Sequence, residues 1–139
     1  MPDITNRVRD NFAQQQFMRT LGATLLSVNP GAVEITVPFR ADLTQQNGFL
    51  HAGVITSILD SACGYAALSV APEDANVLSV EFKVNLLSPA VGEKVIARAQ
   101  VKRAGKLLTV STADAFAIKD NQEKLVATMV ATIVNQKRF

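Results

Sequence analysis

Apolar positions along this chain repeat with two different periods, and the change of period organises it. From Asp3 to Leu21 the residues Ile4, Val8, Phe12, Phe17, Met18 and Leu21 are spaced for one face of a helix, with Gly22 as a stop. Ala23 to Val28 and Ala32 to Phe39 read as strands joined by the turn signal Asn29-Pro30-Gly31. Arg40 to Leu50 is polar and reads as a loop. A long helix is then predicted from Ala52 to Val70, closed by Ala71-Pro72. Beyond Pro72 the period is two: Leu78, Val80, Phe82, Val84 and Leu86 alternate with Ser79, Glu81, Lys83 and Asn85.

Ser88-Pro89-Ala90-Val91-Gly92 interrupts that alternation. Val95 to Arg103 and Leu107 to Ile118 read as strands around the hairpin turn Ala104-Gly105-Lys106. After a turn at Lys119-Asp120-Asn121-Gln122, Leu125 to Val134 is apolar on both sides and is expected to be central or covered on both faces. The four late strands are expected to form a meander. One long buried helix against one curved antiparallel sheet is an α+β arrangement, here a single domain, 1–139, with an N-terminal helix over 1–21.

The predicted central helix has two unlike faces. With Gly53 set at zero and 100° per residue, Thr56, Ser57, Asp60, Gly64 and Ala67 fall within about 60° of it. Val54, Ile55, Ile58, Leu59, Ala62, Tyr65 and Ala66 lie opposite. The apolar face calls for a core. The stripe of small residues lets another backbone, a second subunit or a ligand approach Asp60, the one carboxylate in this run. An unpartnered charge is costly to desolvate, so Asp60 needs an explanation. A structural interface acid and a catalytic acid both fit that position.

Composition narrows the field. Of 139 residues, 48% are apolar, which suits a folded domain, and the net charge is +2 with no clustered basic face for nucleic acid beyond a short Lys137-Arg138 pair. No run approaches about 18 consecutive apolar residues, so no membrane span is expected. The polar N-terminus has no signal-peptide core. The one cysteine, Cys63, cannot form a disulfide within the chain, so a reducing compartment, the cytoplasm, is expected; at the edge of the small-residue stripe it reads as a packed, inert thiol rather than a nucleophile. One histidine, His51, without nearby cysteines or acids does not make a zinc site. The N–H groups of Ala52 and Gly53 at the helix start carry the positive end of the helix dipole and form a natural oxyanion hole.

The element order, with His51-Ala52-Gly53 followed by Asp60 nine positions after the histidine, resembles the hotdog-fold thioesterases, and among them the PaaI-type (phenylacetate-degradation) branch. The resemblance covers nearly the whole chain. Leu78 to Glu93 is similar to the family's third-strand region and Val101 to Lys106 to its following hairpin. Ala52 stands where the family usually has glycine, a change that keeps a backbone N–H role available. Members with this variant incline toward aliphatic acyl groups.

The resemblance implies an acyl-CoA thioesterase that releases free CoA and a carboxylic acid. It implies Asp60 as general base or nucleophile, the Ala52 N–H (with Gly53 beside it) as the oxyanion hole, and His51 shaping the loop or moving a proton. It implies Gln45 orienting water or the carbonyl, with Asn47 a weaker rival, and a helper hydroxyl at Ser79. Arg103, Gly105 and Lys106 would contact the phosphates of coenzyme A, which is part of the substrate; no further cofactor is expected. It implies a homodimer or homotetramer in which Asp60 of one subunit faces His51 and Ala52 of the other. Two other functions fit the same element order: a hotdog hydratase or dehydratase on acyl thioesters, and a non-catalytic acyl-CoA binding protein.

Overall fold

The structure, a computed structural model, describes residues 3–137; Met1 and Pro2 of the expected N-terminal helix and Arg138 of the basic pair lie outside them. Three helices, α1 (Ile4–Gln14), α2 (Gln16–Leu21) and α3 (Ala52–Val70), combine with six strands. The strands are β1 (Thr24–Asn29), β2 (Ala32–Pro38), β3 (Ala75–Leu86), β4 (Lys94–Ala104), β5 (Leu108–Lys119) and β6 (Gln122–Lys137). A short 3-10 turn, Ala41–Leu43, lies in the loop before α3.

The expected single N-terminal helix is two helices. Asp3 caps α1 by accepting from the Thr5 N–H at 3.0 Å, and Gln15, extended at φ −81° and ψ 98°, separates α1 from α2. The reason is one of phase. Val8 and Phe12 are four residues apart and Met18 and Leu21 three, but Phe12 and Met18 are six apart, which no single helical face accommodates. The break at Gln15 restores the phase, so Val8, Met18 and Leu21 are all buried. Gly22 ends α2 in the left-handed conformation, φ 72°, with the Ala23 N–H returning to the Met18 carbonyl at 2.9 Å.

All six strands pair antiparallel in the order β1-β2-β4-β5-β6-β3. Only β4-β5-β6 is a meander. The expectation of four consecutive strands fails at β3, which crosses the sheet and pairs with β6 from Ala75↔Lys137 to Leu86↔Ala127. β6 is thereby central, between β5 and β3, as expected. The β5–β6 turn at Asp120 and Asn121 has φ of 50° and 62°, the type I′ geometry that matches strand twist.

α3 lies across the concave face, and that face is made small to receive it. Ala97, Ala99, Ala113, Ala115, Ala117, Ala127 and Ala131 all point inward and are buried. Against them α3 sets Val54, Ile55, Ile58, Leu59, Ala62, Tyr65 and Ala66, its expected apolar face, all buried. At 19 residues and a mean hydropathy of 1.3 over 18 of them, α3 does have the length and composition of a membrane-crossing helix, contrary to the expectation from consecutive apolar residues. Interspersed alanine, glycine, serine and threonine lower the run length without lowering the mean, and the sheet wraps the helix.

Both ends of α3 are tied down. Its last carbonyls have no intrahelical donor. The Arg7 guanidinium of α1 donates to the Ala71, Pro72 and Ala75 carbonyls at 3.0, 2.9 and 2.6 Å, placing a cation at the negative end of the helix. Ser69 accepts from the Gly31 N–H at 2.8 Å and so joins the β1–β2 turn to the same end. Replacing Arg7 with alanine removes three hydrogen bonds, two of them part-buried, so Arg7→Ala should lower unfolding free energy by about 1–2 kcal/mol. Chemical denaturation checks this, with Arg9→Ala on the exposed side of α1 as the neutral control.

Candidate active site

Two clefts hold the residues expected to be functional, and they lie at different stations along α3. The first, about 460 Å³, opens at the N-terminus of α3; Gln45, Phe49, His51 and Ala52 line it together with Leu86, Leu87 and Pro89 from the segment after β3. His51 is the N-cap. Its Nδ1 accepts from the Gly53 N–H at 2.7 Å, which leaves the ring proton on Nε2 as a donor. The Gly53 N–H is therefore occupied by the cap and unavailable to an incoming oxygen, contrary to the expectation that pairs it with Ala52. The Ala52 N–H has no acceptor among the described residues.

Glycine at position 53 has a steric cause. A Cβ there would stand 3.0 Å from His51 Nδ1 and 3.4 Å from its ring carbon. The ring can fold back over the helix start only because nothing projects from residue 53. Gln45 belongs to the same cleft, but its Oε1 accepts from the Asn47 N–H, and its backbone closes the loop through Phe49 (2.8 Å) and Gly48 (3.0 Å). Its side-chain N–H groups are the part of it left to act. Asn47 faces that turn and does not line the cleft.

The second cleft, about 300 Å³, holds Asp60. Ser79 of β3 donates to Asp60 Oδ1 at 2.6 Å, while Oδ2 has no partner among the described residues. Ser79 was expected on the polar, outward side of β3. A bulge reverses this: Ser79 pairs with Ile133 but Glu81 pairs with Thr132, so Val80 is the extra residue. Ser79 thereby faces α3, and Glu81 takes the outer side.

Between Ala52 and Asp60 the helix rises about 12 Å. A base and an oxyanion donor serving one carbonyl must lie within about 3 Å of the reacting atoms. The chain thus brings Gln45, His51 and Ala52 together in one cleft and Asp60 and Ser79 in the other, without joining the sets.

The small-residue stripe is shorter than expected. Thr56, Ser57, Asp60 and Gly64 are half-buried, and a Cβ on Gly64 would meet nothing within 4 Å, but Ala67 is fully buried. α1 packs over that half of the helix, its Phe12 ring 5.7 Å from that of Tyr65. Sequence reasoning missed the polar lining residues Asn11, Gln15, Ser61, Tyr65 and Asn76 of the Asp60 cleft. The available signal was the phase break at Gln15, which marks where the N-terminal helices turn toward α3.

Arg103 and Lys106 are exposed on the β4–β5 hairpin and form no ion pair among the described residues. Gly105 answers to the turn itself: its N–H donates to the Leu108 carbonyl at 2.8 Å, and a Cβ there would fall 2.5 Å from that oxygen.

A strongly curved sheet wrapped around one long helix, with a carboxylate midway along that helix and an open N–H at its start, is the hotdog architecture of thioester hydrolases. The chain belongs to the thioesterase superfamily, whose family model matches residues 47–124. It is a thioester hydrolase by that membership. Human acyl-coenzyme A thioesterase 13 is 31% identical over 102 residues, 72% of each chain. A thioesterase family protein from Silicibacter pomeroyi superposes with a TM-score of 0.96 at 51% identity, covering 98% of this chain and 100% of the other. The PaaI protein of the E. coli phenylacetic acid degradation operon shares the fold, with a TM-score of 0.85 at 20% identity over 96% and 93% of the two chains.

Cys63 sits on α3 three residues from Asp60 and is fully buried. Burial, and to a smaller extent the Asp60 charge, push its thiol up to about 12 from 9.0, which removes it as a nucleophile at neutral pH. The folded value exceeds the unfolded one, so this thiol supports the fold fully below about pH 9 and loses that support as pH rises toward 12. Stability curves of wild type and Cys63→Ala should run parallel below pH 9 and converge above it. The native thiol should also resist iodoacetamide at pH 8 while the urea-unfolded chain is alkylated.

Proposed function

We propose that this chain is an acyl-CoA thioesterase whose active sites form between two subunits, the Asp60–Ser79 half-site of one closing on the Gln45–His51–Ala52 half-site of the other. The observation that carries this is the separation of a carboxylate and an unsatisfied helix N–H by about 12 Å on one rigid helix. Within the shared site Asp60 Oδ2 removes a proton from water, and the water oxygen attacks the thioester carbonyl. The carbonyl oxygen takes the negative charge and is held by the Ala52 N–H and the positive end of α3. The C–S bond then breaks, the carboxylic acid leaves, and the CoA sulfur takes the proton. Ser79 holds the carboxylate in place; the same geometry serves direct attack by Asp60. No further cofactor enters this scheme. A CoA substrate and a reduced thiol fit the cytoplasm.

Exposed apolar groups support the pairing. Phe82 and Leu86 lie on the inner side of β3 beyond the reach of α3, at 42% and 53% exposure, and Leu87 follows at 54%. β3 is also an edge strand with an unpaired flank, a liability that a second copy removes.

The assignment is checked by complementation. Asp60→Asn should lower hydrolysis about 10²-fold or more. Ala52→Pro deletes only the N–H: residue 52 is the first helical position, where proline is accepted, and His51 already has the extended geometry proline requires of its neighbour, φ −61° and ψ 140°. It should cost about 10²–10³ in kcat with the fold intact. Mixing and co-refolding the two variants should restore roughly a quarter of wild-type activity, because half the dimers then hold one intact site. No recovery from folded, mixed dimers overturns the shared site.

For coenzyme A, Arg103 and Lys106 offer two unpaired cations at the surface, each worth about 1 kcal/mol to an exposed phosphate. Arg103→Ala/Lys106→Ala should raise KM several-fold, more at low salt, and leave kcat near wild type. Acyl-pantetheine, lacking the nucleotide phosphates, should be unaffected by the double substitution; equal loss for both substrates removes the hairpin from the binding site.

A further inference from the structure

The cleft beside Asp60 has a polar far wall that the hydrolytic scheme does not use. Ser61 donates to Gln15 Oε1 at 3.1 Å, Gln15 Nε2 donates to the Tyr65 hydroxyl at 2.9 Å, and Tyr65 donates to Asn11 Oδ1 at 3.2 Å. With Tyr65 donating to Asn11 and accepting from Gln15, the Gln15 oxygen faces Ser61. What remains free is one N–H on Gln15 and both on Asn11, none of them with an acceptor among the described residues. Asn76, in the same cleft, uses its Oδ1 on the Val77 N–H at 2.9 Å and likewise keeps its amide N–H groups free.

Three neutral amides therefore present donors to one cavity, beside the Asp60 carboxylate and the Ser61 and Ser79 hydroxyl oxygens. Gly64, one helical turn or about 6 Å beyond Asp60, leaves the path between them open. Val77 and Leu78 form an apolar side wall. An unadorned alkyl chain in this cavity leaves those donors without partners, which costs binding, whereas an oxygen acceptor satisfies them.

We propose that this cavity receives the distal end of the acyl group and that Asn11, Gln15 and Asn76 select acyl chains carrying an oxygen acceptor there, a keto, hydroxyl or ether group, over plain alkyl chains. The inference rests on the acyl-CoA thioesterase reading above and gives the N-terminal helices a role in specificity. Asn11 and Gln15 are specificity residues; Tyr65 and Ser61 orient them.

The test uses chain-matched pairs, (ω−1)-oxoacyl-CoAs of roughly six to ten carbons against the unsubstituted acyl-CoAs of the same length, because a ketone accepts and cannot donate. Wild type should favour the oxo member by about tenfold in kcat/KM at the best-fitting length. Asn11→Leu should bring the ratio close to one by lowering kcat/KM for the oxo member. Asn11→Asp keeps the bond from Tyr65 but replaces donors with acceptors, so it should also abolish the preference without loosening α1. Asp60→Asn should suppress both members of every pair, which separates selectivity from chemistry. If wild type hydrolyses both members equally at every length, or if the Asn11 variants slow both equally, the selectivity proposal is overturned and the thioesterase reading stands. If wild type hydrolyses no acyl-CoA of either kind, both fall.

Discussion

Close packing of α3 on an alanine-lined sheet is the constraint from which the remaining features follow. Seven inward alanines bring helix and sheet together, and the resulting core is dense but narrow. It is too narrow to cover β3, whose inner face runs past the helix. It also makes α3 rigid, so the distance between the helix start and Asp60 is set by helical rise and cannot be closed by a hinge. A fold that places Asp60 and the open Ala52 N–H on one helix keeps them about 12 Å apart within the chain.

The polar groups are divided accordingly. At the N-terminus, His51 uses its own ring to occupy the Gly53 N–H, which concentrates the open donor capacity of the helix on Ala52. At Asp60, Ser79 engages one carboxylate oxygen and leaves the other without a partner among the described residues. On the outer, solvent side of the sheet the charges are spent differently. Hydrogen bonds to Glu123 and then Glu34, the latter at 2.6 Å, raise the already high pKa of Arg98, which also lies 4.9 Å over the Phe116 ring, so this residue links β2, β4, β5 and β6. That cluster consumes its own charges, unlike Arg103 and Lys106 on the hairpin.

Much of this was legible in residue order. α3, its limits, its buried face and the place of Asp60 on its small-residue side follow from period and polarity alone, because a helix carries its pattern locally. The hairpins around Gly105 and Asp120-Asn121 were legible for the same reason: turn chemistry is local. What escaped was non-local. The pairing of β3 with β6 joins strands that are not consecutive in the chain. The break at Gln15 was present as a spacing error between Phe12 and Met18 but carried weight only once α3 supplied a surface to match. The loss of the Gly53 N–H required knowing that the His51 ring turns back rather than outward.

The Val80 bulge shows why one strand can serve two incompatible demands. On β3 the hydroxyl that reaches Asp60 is at an odd position, Ser79, whereas the apolar residues that continue the inner face are at even positions, Phe82, Val84 and Leu86. In a regular strand alternation would send one group or the other to solvent. Facing Ser79 inward would expose the apolar set; facing that set inward would turn Ser79 away from the acid. One inserted residue changes the phase between them, at the cost of one interrupted step in the β3–β6 ladder, and both groups face the helix. The Ser79–Asp60 contact and the apolar inner margin of β3 are thus coupled through a single backbone irregularity.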